Sequence, residues 1–415
     1  MRILYVDSRT RIARAACREL PGHADVILVG TAAEAERAAR HAHFDVVIAD
    51  YDLPGVNGSD LVRRLREAGL AAPVVGLAGH DLGARAMQQA GVDALCGQAD
   101  FASIAPLLDR LVSASVRRIT FIRHGESEWN AAGRWQGQGD APLSEVGRKQ
   151  AEALAARLEG RRIARVEHSD LQRAANTAAA LGRERVAEPA WRELAVGAWE
   201  GLTDAEVGER FADQVAAIRR GEPIKLGGGE AWPELEERVM AAFSRLVARV
   251  KPGEEALVVC HGGVIVGLVT ALLGLTRRLP RTVAPPGNTS LTTLEVGPST
   301  TRLVVYNDAT HLGPVAPKPD AVEVRLAREA ALLGGRARVE GVSDALRLEA
   351  GRAFGVAGSA GVVEAAARAA LAATGEGPGV LGPMLPGRVG HVILHRRGRT
   401  LRDWNIEPGE VQVDE

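Results

Sequence analysis

The sequence predicts an α/β protein of more than one unit, and three observations lead there. At 415 residues the chain is about two to three times the commonest domain length of roughly 100–150 residues. Through its opening stretch, short apolar runs alternate with segments of helical periodicity, the pattern of parallel strands joined by crossover helices on both faces of a sheet. A second strand-and-helix series opens near Arg118 and closes near Gly313. The hydrophobic fraction of 46% and the charged fraction of 25% are ordinary globular values, which excludes a wholly disordered, collagenous or coiled-coil chain.

In the first series, strands are expected at Ile3–Val6, Asp25–Val29, Val46–Ala49, Val74–Leu77 and Ala94–Cys96. Helices are expected at Arg9–Leu20, Ala32–His41, Ser59–Ala68, Gly83–Ala90 and Ile104–Val112. A polar hinge near Ser113–Arg118 precedes the strand Ile119–Ile122, which opens the second unit. The longest uncharged run, Ala256–Leu275, approaches a membrane-spanning length, but His261, Gly262 and Gly263 interrupt it; it reads as a buried strand, a turn and a helix. Three prolines in Pro314–Asp320 mark an extended linker.

The remainder, Ala321–Glu415, forms a small mixed unit, with a helical stretch at Val362–Ala373, a Gly/Pro-rich segment at Gly375–Gly390 and a hairpin of Val389–His395 with Thr400–Trp404. His391 and His395 lie in that hairpin without a carboxylate or thiolate partner nearby, so it reads as a sheet edge rather than a metal site. The expected domains are therefore 1–113, 117–313 and 321–415, and the last resembles no known family.

Lys plus Arg (51) nearly cancel Asp plus Glu (52), leaving a formal charge of -1. No global field draws the chain to nucleic acid or anionic lipid, and neither is expected as a partner. Cys17, Cys96 and Cys260 lie far apart, which argues against a disulfide framework or a structural zinc site. The opening MRILYVDSRTR lacks the pattern of a signal peptide, so a reducing, cytoplasmic location is expected.

The chemistry concentrates in the second unit. RHGESEWN, Arg123–Asn130, stands where a strand ends and a loop begins, the place where parallel sheets put their chemistry. A neutral histidine beside an arginine can attack phosphorus while the cation binds the phosphoryl group. In HSDLQRAANTA, Arg173 sits near a helix start and can grip phosphate. In WRELAVGAWEGL, Glu193 precedes a small-residue turn and can supply a proton to a leaving alkoxide. VVCHGGVIVGLV sets His261 at another strand end before a helix N-terminus, which favours an anion.

Together with WQGQGDAPLSEVGRKQA (Trp135–Ala151) and Asn288-Thr289-Ser290, these runs resemble the histidine phosphatase, or phosphoglycerate mutase-like, superfamily across Arg118 to about Gly313. The resemblance implies a three-layer α/β domain in which His124 becomes phosphohistidine and then yields the phosphoryl group to water, with Glu193 as general acid. It implies that Arg123, Arg173 and His261 hold the equatorial oxygens, with no metal and no cofactor. Asn130 matches a position that contacts the phosphoryl group, and Gln136 and Gly137 lie in a loop that shapes the substrate side. Asn130 and Gln136 serve equally well as loop-capping amides, and Glu126 and Glu128 read as solvated charges.

A phosphatase must admit water to the phosphohistidine, and a mutase must exclude it. The matched segment is shorter than expected for cofactor-dependent mutases, and the LAVGAWEGLT run is similar to the broad phosphatase branch, so hydrolysis of a small phosphorylated substrate is the leading expectation. The rivals are mutase-type transfer, a protein phosphohistidine phosphatase and a non-catalytic signalling adaptor.

FDVVIADYDLPGVNGSDLVRRLR, Phe44–Arg66, resembles a response-regulator receiver, a flavodoxin-like (βα)5 domain, over roughly Met1–Ser113, with Asp50 in the phosphoacceptor position. An active receiver needs Mg²⁺ held by acidic residues, a hydroxyl after strand four and a lysine after strand five. Here the acidic pair is reduced to Asp7 with Ser8, the hydroxyl position is Ala78 and the lysine position is Gln98. The resemblance is thus to a degenerate receiver that docks a signalling protein or a second copy of the chain, with phosphorylation of Asp50 that tunes the phosphatase as the alternative.

Overall fold

A computed structural model describes residues 2–9, 20, 24–97, 103–275, 283–298 and 300–313 with their side chains, and the backbone of six strands between 322 and 406. The chain divides into two compact units, 1–117 with 296–301, and 118–295 with 302–415.

The first unit is a five-stranded sheet of β1 (Arg2–Val6), β2 (Asp25–Val29), β3 (Val46–Asp50), β4 (Val74–Ala78) and β5 (Ala94–Gly97) in the order β2-β1-β3-β4-β5. Every pairing is parallel. Side chains alternate across the strands and build two cores. Leu4, Val6, Val47 and Ala49 pack with Leu61, Val62 and Met87 from the helices Gly58–Glu67 and Asp81–Gln89. Ile3, Tyr5, Val46 and Ile48 pack on the opposite face with Ile104 and Leu108 of the helix Ile104–Ser115. Local signals fix the helix starts. Thr31 and Glu34 form a capping box on Ala32–His41, and the Asn57 side chain accepts from the Asp60 amide.

Two details differ from the sequence reading. The helix Ile104–Ser115 is followed after one residue by β6 (Arg117–Arg123), so the expected hinge near Ser113–Arg118 is a helix end and a strand start. Arg9 lies outside any helix, while the rest of the expected helix to Leu20 falls almost wholly outside the described residues.

In the second unit, β6, β7 (Arg165–His168), β8 (Val186–Ala187), β9 (Glu255–Cys260), β10 (Leu291–Val296) and β11 (Thr301–Asp308) run in the order β11-β10-β6-β9-β7-β8. β6, β9, β7 and β8 pair in parallel. Ile122 of β6, with Val166, Leu257 and Val259, packs against Leu154 of the helix Glu145–Arg157 and Ala174 and Ala178 of the helix Gln172–Ala180. Phe121, next in the chain and so on the other face, meets Trp191 and Phe243 at ring-centroid distances of 5.6 and 6.2 Å. Phe243 belongs to the helix Trp232–Arg249, so helices cover both faces in three layers.

The run Ala256–Leu275 resolves into the end of β9 and the buried helix Gly262–Leu272, and no described helix is long and apolar enough to cross a membrane. Further strands continue from β11, and the hairpin expected near the C-terminus is present as β-strands Val389–His395 and Gly398–Ile406 in antiparallel pairing. A single pairing, Tyr306 with Trp404, joins it to β11. The expected linker Pro314–Asp320 and the helix Val362–Ala373 lie outside the described residues, as do the side chains of His391 and His395.

Candidate active site

Adjacent strand ends bring the two histidines together. β6 and β9 run in register with Arg123 opposite Cys260, and the His124 amide donates to the Cys260 carbonyl at 2.9 Å. His124 and His261 therefore follow neighbouring strands, with ring centroids 5.1 Å apart. β7 flanks β9 on its other side and leads through Ser169 into the helix that carries Arg173 in its first turn. Glu193 arrives from the loop after Trp191, whose indole is anchored by an Nε1–H bond to Glu167 at 2.9 Å. The Glu193 carboxylate accepts from its neighbour Leu194 N–H at 2.8 Å and from Gly263 N–H at 3.0 Å. That pins it to the positive end of the helix Gly262–Leu272.

Burial sets the electrostatics. His124, Arg173 and His261 are all buried, the last two completely. Desolvation, then the charges of Arg173 and Arg123, push the His124 imidazole well below its ordinary range, against a smaller opposing effect of the Gly125 carbonyl. Its Nδ1 lies 2.7 Å from that carbonyl, which can only accept, so Nδ1 carries the proton and Nε2 keeps a free lone pair. His261 is held neutral by burial and by Arg173. Its Nε2 lies 2.8 Å from the hydroxyl of buried Ser169, whose proton has no other acceptor among the described residues; that proton is assigned to Nε2, which leaves Nδ1 as an N–H.

The arginines are partly used by the protein itself. Arg123 Nη1 donates to the Pro286 carbonyl at 2.8 Å, and Arg173 donates to the carbonyls of Gly139 and Gly137 at 2.7 and 2.8 Å. Burial lowers both guanidinium pKa values, that of Arg173 to about 10, although the Glu193 charge opposes the shift. Arg123 Nε, Arg173 Nε and His261 Nδ1 are buried without a hydrogen-bond partner. An unpaired buried donor costs roughly 1–3 kcal/mol, so three on cationic or polarised groups in one cluster mark a site shaped for an anion.

The backbone beneath is strained. Thr289 is a β-branched residue at φ 54°, in the left-handed region, and its N–H donates to the Arg123 carbonyl at 2.9 Å. Beside it, Asn288 Nδ2 donates to the His124 carbonyl at 2.9 Å.

Asn130 and Gln136 both make loop hydrogen bonds. Asn130 Oδ1 accepts from Ser127 N–H at 3.2 Å, and the Ser127 hydroxyl donates to Gln136 Oε1 at 2.7 Å. Asn130 Oδ1 also faces Asn288 Nδ2 at 3.4 Å. Gly137, at φ +51°, lends the carbonyl that orients Arg173. Glu128 is exposed as expected, but Glu126 is not a solvated charge: it is half-buried and accepts from the Ser144 hydroxyl at 2.7 Å, tying the loop to a helix start.

Sequence reasoning assigned no role to Ser169, Thr177, Arg238 or Gly263. The Thr177 hydroxyl accepts from Gly125 N–H at 2.9 Å. Arg238 binds the carbonyls of Ala190 and Arg192 at 2.8 and 2.9 Å and the carboxylate of Glu230, clamping the segment that ends in Glu193. Ser169 and Thr177 stand in the same run as Arg173, four residues to either side, and that proximity is the signal the sequence offers.

In the first unit, Asp50 ends β3 and is fully buried beside Asp7, which follows β1. Ala78 ends β4 and offers no hydroxyl, and Gln98 is outside the described residues.

Residues 119–309 match the model of the histidine phosphatase superfamily, branch 1, and residues 3–98 match the response regulator receiver domain. Over 166 residues the chain is 40% identical to a metal-independent phosphoserine phosphatase of Arabidopsis thaliana, covering 38% of this chain and 69% of that protein. It is 37% identical over 171 residues to a glucosyl-3-phosphoglycerate phosphatase of Mycolicibacterium vanbaalenii, covering 39% and 76%. It is 36% identical over 167 residues to a probable phosphoglycerate mutase of Yersinia pestis, covering 38% and 75%. With the six ordered runs, the paired strand-end histidines and these relatives in agreement, the chain belongs to the histidine phosphatase superfamily, its catalytic unit preceded by a receiver domain.

Proposed function

We propose that the chain hydrolyses phosphate monoesters through a phosphohistidine on His124. The observation that carries this reading is the set of three buried, unpartnered N–H groups, on Arg123, Arg173 and His261, clustered with a histidine whose Nε2 is free and unprotonated. In the first step Nε2 forms a bond to phosphorus as the ester P–O bond breaks, and Glu193, as general acid, gives a proton to the departing oxygen. The unpartnered donors take the equatorial oxygens, whose charge grows in the transition state. In the second step water attacks phosphorus, Glu193 takes its proton, and the electron pair of the N–P bond returns to Nε2.

The phosphatases among the relatives support hydrolysis of a small phosphorylated metabolite bearing a hydroxy-acid or sugar-acid ester, and the receiver domain supports a signalling protein as partner. The test is phosphate release at about pH 6–7 with chelator present, comparing wild type with His124→Ala on phosphoserine, phosphoglycerates, an aryl phosphate and a phosphohistidine peptide. Release that disappears in the variant is the expected result. Phosphate that moves between the hydroxyls of a phosphoglycerate without net release would establish a mutase instead, and no turnover by a folded wild-type protein would leave the adaptor reading.

A further inference from the structure

The receiver unit carries an acidic pocket whose cation is part of the chain. β1 and β3 pair in parallel with Val6 opposite Ala49, so the next residues, Asp7 and Asp50, emerge side by side, and both carboxylates are fully buried. Two ionised carboxylates removed from water require a positive charge between them. The fold family implies a divalent ion there, held at about 2.0–2.1 Å by carboxylate oxygens. The residues present do not fit it. Arg9 Nε lies 3.1 Å from Asp7 Oδ1, its Nη2 lies 3.3 Å from Asp7 Oδ2, and the same Nη2 reaches Asp50 Oδ2 at 2.8 Å. The Arg9 amide adds a fourth contact, to Asp7 Oδ1 at 2.8 Å. The guanidinium thus grips both oxygens of Asp7 and pairs with Oδ2 of Asp50, occupying three of the oxygens a metal would draw on.

We propose that Arg9 is the resident cation of this pocket: it takes the place of the divalent ion, balances the charge of Asp7 and Asp50 without metal, and closes Asp50 to phosphorylation by small acyl phosphates. The sequence around it agrees. Ser8 stands where a second acid would strengthen a metal site, and Ala78 supplies no hydroxyl to read a phosphate. The domain then keeps a single charge state and presents its surface irrespective of phosphoryl supply, as a docking module does. This inference does not depend on the reading of the catalytic unit.

The experiment uses the full chain. Mn²⁺ binding is followed by the relaxation enhancement of water protons, and phosphorylation by radiolabelled acetyl phosphate with Mg²⁺, the label measured in a His124→Ala background so that phosphohistidine does not contribute. Neither a Mn²⁺ site nor a label that depends on Asp50 is expected in the chain with Arg9. Arg9→Ala should gain a Mn²⁺ site at least about tenfold tighter than anything in wild type, and adding Asp50→Asn should abolish it. A wild-type Mn²⁺ site lost in Asp50→Asn, or a label lost in that variant, would overturn the proposal. So would a folded Arg9→Ala chain that gains no site. Should Arg9→Ala not fold, the comparison of wild type with Asp50→Asn still decides.

Discussion

Gly263→Ala separates Glu193, the proposed general acid, from everything else in the site. A Cβ at this position would lie 3.1 Å from Glu193 Cδ and 3.5 Å from Oε2, and well inside contact distance of Oε1, whereas carbon atoms settle at about 3.5–4.0 Å. Something must move, and the carboxyl end of a flexible side chain moves more easily than the buried helix Gly262–Leu272. The Gly263 N–H that now holds Oε2 at 3.0 Å would then lose its partner. Helix propensity favours alanine over glycine by about 1 kcal/mol, so the variant should be as stable as wild type. Catalysis should suffer instead, since a positioned general acid contributes about 10²–10⁴-fold and a misplacement of about 1 Å can cost 10²-fold. The loss must depend on the leaving group: an alkoxide needs the proton, and a nitrophenolate hardly does. The assay is kcat on an alkyl and on a nitrophenyl monoester, with melting temperature measured alongside. An equal fall on both substrates, or no fall on either, would refute the role given to Glu193 and its seat on Gly263.

Gly147 makes the contrasting case, because a Cβ there meets the backbone of Glu126, with Glu126 C and N both at 2.8 Å, and no side chain can yield. Gly147→Ala should lose about 1–3 kcal/mol, seen as a lower urea midpoint. Ser169→Ala should leave the fold intact but free His261 to exchange tautomers, lowering kcat/KM about tenfold, with the mixture visible in the ¹⁵N spectrum of His261. Stability should also fall with acid. His124 and His261 are held neutral when folded, while unfolded histidines protonate near pH 6.5, so below that pH the unfolded state binds more protons and folding weakens. Between about pH 7.5 and 5.5 each costs about 1.4 kcal/mol in all, and His124→Gln should remove one such loss from denaturation measured over that range.

The strand ends were legible because their apolar runs stop at polar residues: Ile119–Ile122 before Arg123-His124, and Ala256–Cys260 before His261. What the sequence could not show is contact across the fold. Glu193 and Gly263 are far apart in the chain, and only the return of a loop beneath a helix start joins them. Ser169 is invisible for a similar reason, since its proton matters only once β7 and β9 have brought it to His261. Arg9 reads as the first residue of an amphipathic helix, and its charge acquires meaning only when Asp50 arrives beside Asp7 from another strand.

The two acid–base clusters in this chain therefore carry opposite signatures. In the catalytic unit two buried cations outnumber the carboxylate that faces them, and an N–H of each, with one of neutral His261, lacks a protein partner, so charge balance is completed by whatever anion enters. In the receiver unit the buried charges are anionic, and the chain supplies the compensating guanidinium from two residues away. A site that exchanges a ligand keeps donors unpaired at a cost in stability, whereas the receiver pocket draws a compensating charge from its own side chain. The same folding chemistry thus leaves one site with donors for an entering anion and supplies the other with a cation of its own.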